Sequence, residues 1–249
     1  MADYDNRLTR TATVGVAAVD AGLRAYMLRV YNYMLVGLSL TGVVAWLTAE
    51  TPLSQVFYNQ VQTVNGVMLQ PNILGWIAIF APLAMVFFFS FRIQKMSFAA
   101  AQATFWAYAA LMGVSLATIL FVYTGASIAM TFFVTAATFG AMSLWGYTTG
   151  RDLTGFGSFL FMGLIGVVLA SLANMFFRST QLQFVVSVIG VLVFTGLTAY
   201  DTQSIKNMYY VGDDGEVTGK KAVMGALRLY LDFINLFLFL LRFMGNSRR

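Results

Sequence analysis

Between Met96 and Gly150 the chain runs for 55 residues without one charged side chain. A membrane-crossing helix needs only about 20 consecutive apolar residues, so this stretch is far too long for one span. It has to turn back at the membrane surface, and the segment Tyr123-Thr124-Gly125-Ala126-Ser127 supplies the break, glycine ending one helix and serine starting the next. Two helices follow, over about 99–122 and about 127–147. The same criterion finds Val30–Ala49, Asn72–Phe91 with a tolerated kink at Pro82, Leu153–Phe177, Gln181–Gln203 and about Ala226–Met244. Only 10% of the residues are charged, against about 25% in a soluble domain, which agrees with the span count. The expected fold is therefore an all-α integral membrane protein with seven transmembrane helices. A cytoplasmic tail over 1–25, a seven-helix domain over 26–245 and an external tail over 246–249 complete it.

The basic residues give an orientation. With the N-terminus inside, eleven of the fifteen Lys and Arg fall on the cytoplasmic side. Only Arg178, Arg242, Arg248 and Arg249 fall outside, and the first external loop, Glu50–Pro71, has neither Lys nor Arg. The positive-inside rule then puts the N-terminus in the cytoplasm and the C-terminus outside. The net charge of +5 arises at segment ends and so reads as a topology signal, not as a nucleic-acid surface. The first 25 residues have no apolar core of the signal-peptide kind and are expected to form a tail, helical near Asp20–Arg29. Trp46, Trp76 and Trp145 fall near span ends as interfacial anchors. Small residues recur at helical spacing, as in Gly37, Thr41 and Ala45, or Gly190 and Gly196, and are read as helix-contact positions.

Two carboxylates break the apolar pattern. Asp201 lies in Leu197-Thr198-Ala199-Tyr200-Asp201-Thr202-Gln203, and Asp232 in Tyr230-Leu231-Asp232-Phe233-Ile234-Asn235. An ionisable residue within a span costs about 2.5–3.5 kcal/mol on insertion scales, so a function or a specific partner is the default reading. Helix six reaches the cytoplasmic side at Asp201, helix seven departs from that side before Asp232, and helix two ends there at Arg92. One depth thus receives two carboxylates and a guanidinium, whose planar fork can bridge them. Arg228, four residues before Asp232 on the same helix face, is a second candidate counter-charge. Asn235 extends the polar face inward. The two aspartates, oxygen donors for a hard cation, are also the candidate calcium ligands. The loop Val211–Val217 carries Asp213, Asp214 and Glu216, but lacks the terminal glutamate of a calcium loop and reads as a solvated turn.

The same residues carry a resemblance. Tyr200-Asp201-Thr202-Gln203-Ser204-Ile205-Lys206 and Leu229-Tyr230-Leu231-Asp232-Phe233-Ile234-Asn235-Leu236-Phe237, closed by Leu240-Leu241-Arg242, resemble the transmembrane Bax-inhibitor-motif family, in particular its bacterial YccA-type members. The likeness covers about residues 20–245. It implies six helices around a central C-terminal helix and a pH-regulated calcium leak in the inner membrane. It also implies an aspartate pair sharing a proton, here Asp201 and Asp232, and an arginine latch from helix two, here Arg92. Some bacterial relatives are linked instead to a membrane-anchored AAA protease, so a regulator of proteolysis or stress survival is the alternative. The expected partners are the lipid bilayer, calcium or other cations, and that protease; no nucleic acid is expected. Without cysteine, histidine, a GxSxG elbow or a phosphate loop, neither an enzyme nor a bound cofactor is expected.

Overall fold

A computed structural model describes residues 2–63 and 66–247, with side-chain surroundings over 20–62 and 69–247. Seven of its helices are long and apolar enough to cross a membrane. They are α1 (Ala2–Glu50), α2 (Ile73–Arg92), α3 (Phe98–Val122), α4 (Gly125–Thr148), α5 (Thr154–Phe177), α6 (Thr180–Asn207) and α7 (Gly215–Met244). The span count expected from the sequence is the one observed, and most boundaries agree within a few residues.

Local chemistry sets the helix starts. Asn72, Ser97, Thr124, Ser179 and Asp214 each accept a hydrogen bond from the backbone N–H three residues on, giving five of these helices a side-chain N-cap. The turn at 123–127 is where it was expected, but Thr124 is the cap and Gly125 already lies inside α4. Arg178, at the end of α5, has φ 49°, the left-handed conformation that ends a helix, and Asn174 Oδ1 steadies the turn by accepting from Ser179 N at 2.9 Å.

Three features depart from the sequence reading. Helix α1 is continuous from Ala2, so the region expected as a tail over 1–25 is helical; Met1 lies outside the described residues, as do Arg248 and Arg249 of the expected external tail. Helix α7 begins at Gly215, about three turns before the expected start. Its first turns carry the pairs Glu216–Lys220 at 3.7 Å and Asp213–Lys221 at 2.5 Å, so a helix continues where hydropathy falls. The loop between α1 and α2 contains an antiparallel hairpin, β1 (Tyr58–Thr63) with β2 (Gly66–Pro71), in the register Tyr58↔Pro71. Asn72 closes its base by donating its backbone N–H to Phe57 O at 2.9 Å and its side chain to Val56 O at 2.8 Å.

The last helix is the most enclosed. In its most apolar window 72% of residues are buried, against 50% in α6 and no more than 28% in the others. It packs on α6, α1, α4 and α3, while α2 lies against α3 and α5 against α6. Four helices therefore flank α7 closely, with α2 packed mainly on α3 and α5 mainly on α6. At its centre Tyr230 is fully buried, edge-on to Phe105 and Tyr108, and its hydroxyl meets Thr41 Oγ1 at 2.7 Å.

Candidate functional site

Helices α6 and α7 pack closely at the end where the basic residues cluster, because Gly225 lets Ile205 approach; a Cβ there would stand 2.9 Å from Ile205 Cγ2. Behind α6, Gly146 of α4 lies directly on the backbone of Ala199. A hydroxyl chain fixes the same turn of α6. Thr202 donates to Thr198 O at 2.7 Å, Ser143 meets Thr202 at 3.0 Å, and Tyr31 meets Ser143 at 2.6 Å. Beyond it Gln203 donates to Arg151 O at 2.8 Å, and Lys206 donates to Tyr147 O at 2.9 Å. Asp201 thus sits on a helix segment tied to α1, α4 and the α4–α5 turn.

The carboxyl groups of Asp201 and Asp232 are close neighbours that face the same groove. Asp232 is nearly closed off at 4% exposure, and its Oδ2 is buried without a hydrogen-bond partner among the described residues. Asp201 is half-buried. Of the two candidate counter-charges, Arg228 is the one beside the pair. Its charge acts on both carboxyls, yet among the described residues it forms no ion pair with either. Arg92 is exposed at the end of α2, a helix packed mainly on α3, and is not brought to the pair. The matching depth read from the sequence did not make Arg92 a neighbour. Asn235 stands one turn beyond Asp232, its side chain donating to Leu231 O at 2.8 Å.

The pair faces a groove of about 1100 Å³. Helix α6 forms its floor, and α5 and α7 form its walls, since α5 packs on α6 rather than on α7. Along α5 the lining runs from Gly157 to Met175. At 1.5 Å per residue that is about 27 Å, close to the roughly 30 Å of a bilayer core. Helix α7 contributes Arg228, Asp232, Asn235, Phe239 and Arg242, spaced by three or four and therefore on one helical face. Asp201 and Arg228 mark one end; Asn174, Gln183 and Arg242 mark the other. The sequence reading placed Arg242 among the external charges and in the motif that closes the last helix, without a role in the site, and did not single out Asn174 or Gln183. The period of charged and polar residues along α7 was the available signal.

Among the described residues no three carboxylate, histidine or cysteine side chains gather around a metal position. Calcium takes six to eight oxygens, so two carboxyls do not make a closed, resident site; they can offer a passing cation a contact. The acidic loop before α7 is spent on structure, with Asp214 capping the helix at Val217 N at 2.7 Å and Asp213 held by Lys221.

Comparison with known proteins agrees with the geometry. Residues 23–249 match the family model described as "Inhibitor of apoptosis-promoting Bax1". The chain is 50% identical over 232 residues to the inner membrane protein YbhL of Escherichia coli strain K12, covering 92% of this chain and 94% of that protein. It is 49% identical over 248 residues to an uncharacterized protein of Rickettsia prowazekii, and 43% identical over 251 residues to one of Caulobacter vibrioides, each match covering both chains in full.

Proposed function

The chain belongs to the Bax inhibitor-1 family, and from that premise we propose that it is a calcium-carrying cation leak of a bacterial inner membrane, controlled by the proton held between Asp201 and Asp232. The observation that carries the reading is the buried carboxyl pair at the edge of a groove about as long as a bilayer is thick. A hydrogen bond between two carboxyl groups requires a proton on one of them. Loss of that proton sets two negative charges in contact away from water, where repulsion is strong. Arg228 offsets one charge and leaves the other to push α6 and α7 apart. A bundle with two packings would be biased toward the looser one, and cations would find carboxylate oxygens along the opened path. The inner-membrane placement follows YbhL, and the N-terminus faces the cytoplasm on the eleven-to-four distribution of Lys and Arg.

Purified protein in liposomes loaded with a calcium-sensitive dye tests the reading. Wild-type flux should vary with pH, while Asp201→Asn and Asp232→Asn, each resembling a protonated acid, should fold and lose that variation. Absence of wild-type calcium flux at every pH would sink the leak and favour the alternative, a non-transporting regulator of a membrane-anchored AAA protease.

A further inference from the structure

The groove contains two carboxylates and two guanidiniums, but they are not evenly distributed. Asp201, Asp232 and Arg228 are gathered at one end, and Arg242 stands alone at the other, ten residues further along α7. At 1.5 Å per residue that separation is about 15 Å, beyond a Debye length of roughly 8 Å at physiological salt. No ion pair among the described residues involves Arg242; its guanidinium lies over the Phe239 ring, 5.8 Å from the centroid. Its groove companions at that level, Asn174 and Gln183, are uncharged. A cation moving along the groove has to pass this one uncompensated positive charge.

We infer that the groove between α5 and α7 is the water-accessible ion route, and that Arg242 is an electrostatic guard at its mouth on the side of the α7 C-terminus. The inference rests on the leak reading for its consequence, but the guard's field is present whether or not ions flow. A fixed charge at the mouth of an ion route changes the local concentration of mobile ions by about tenfold or more. The position of that charge is held by the fold. Beyond Arg242, Gly245 packs against the Tyr123 ring, Thr124 N donates to Asn246 O at 3.2 Å, and Asn246 N donates to Ser127 Oγ at 2.8 Å. The end of α7 is therefore anchored to the α3–α4 turn, and Arg242 cannot swing away with a loose terminus.

The chain has no cysteine, so single cysteines can be introduced into an otherwise natural background. Ser171 lines the groove, while Leu169 is 61% exposed on α5 and is not part of the lining. Membrane-impermeant thiol reagents, one anionic and one cationic, are applied to the full-length protein in liposomes from the α7 C-terminal side. Ser171→Cys should react and Leu169→Cys should not, and the anionic reagent should be favoured. In Ser171→Cys with Arg242→Gln that preference should fall about tenfold, and Arg242→Lys should retain it. Calcium flux should rise about tenfold in Arg242→Gln alone. Unreactive Ser171→Cys would mean a lipid-filled groove and would overturn the inference. So would a reagent preference indifferent to Arg242, or unchanged flux in a leaking Arg242→Gln protein. An intact reagent preference without calcium flux in any variant would support the guard while sinking the leak reading itself.

Discussion

Gly146 and Gly140 lie on the same helix six residues apart, and the structure gives alanine opposite consequences at the two positions. At Gly140 a Cβ meets nothing within 4 Å. Alanine there gains the roughly 0.5–1 kcal/mol that separates it from glycine inside a helix. At Gly146 a Cβ would stand 2.8 Å from Ala199 Cα and 2.9 Å from its carbonyl carbon. Ordinary contact begins near 3.4 Å and the Ala199 carbonyl oxygen is closer still than these carbons, so α4 and α6 must separate by about 1 Å, and because the obstacle is backbone no rotamer can relieve it. Overpacking of this kind costs about 1–3 kcal/mol, and because the helix gain is common to both positions, that cost is the expected gap between the two alanine variants. The displaced segment of α6 is two residues from Asp201, so Gly146→Ala should also alter the pH profile of calcium flux, while Gly140→Ala leaves it unchanged. Reversible unfolding in mixed detergent micelles measures the first effect, and the dye-loaded liposome assay the second. Equal stability of the two variants would refute the close-packing argument, and a shifted flux profile in Gly140→Ala would refute its link to the pair.

Arg228→Gln should raise calcium leak at least about tenfold, since about 1.4 kcal/mol of lost counter-charge is already that factor, whereas exposed Arg92→Ala should stay within about twofold in the same flux assay; the reverse order would return the counter-charge role to Arg92. At the surface, Thr154 donates to Asp152 Oδ1 from both its backbone N–H at 2.9 Å and its hydroxyl at 2.6 Å, holding that carboxyl below its usual range. Such a group contributes stability above its ordinary pKa of 3.8 and loses it as pH falls through the lowered value. Thr154→Val removes the hydroxyl bond, so a carbon-detected NMR titration should find the Asp152 midpoint moved up toward 3.8, and an unmoved midpoint would discard the role of that bond.

The number of spans was legible in the sequence, and lateral position was not. Each span announces itself through the length of apolar chain a bilayer demands, and the place of Asp201, Asp232 or Arg92 along its span follows by counting. Which helices are neighbours is a second coordinate, set by side-chain shape and by small residues that matter only against a particular partner. Arg92 and Arg228 show the difference. Arg92 ends α2, which packs mainly on α3, while Arg228 shares a helix with Asp232, which makes its proximity a matter of sequence distance alone. Gly146 belongs to the same class, because its use depends on Ala199 lying opposite it. The start of α7 was missed for another reason: Glu216, Lys220 and Lys221 continue the helix into water through charge pairs that a hydropathy criterion reads as its end.

The groove was the least legible feature, since it arises where α5 and α7 do not pack together, and a missing contact leaves no periodic mark on either helix. Its chemistry nevertheless was written along α7 at every third or fourth position: Arg228, Asp232, Asn235, Phe239, Arg242. In a helix with 72% of its window buried, such a stripe has to face either protein partners or water. Four neighbouring helices cover the remainder of α7 with apolar contacts, of which the Tyr230 cluster with Phe105 and Tyr108 is the centre. The polar stripe is left on the one side where no helix closes over it. Charged groups retained on that side cost more than they return in packing unless water reaches them, and water reaching them along most of a bilayer's thickness is the condition for an ion to follow.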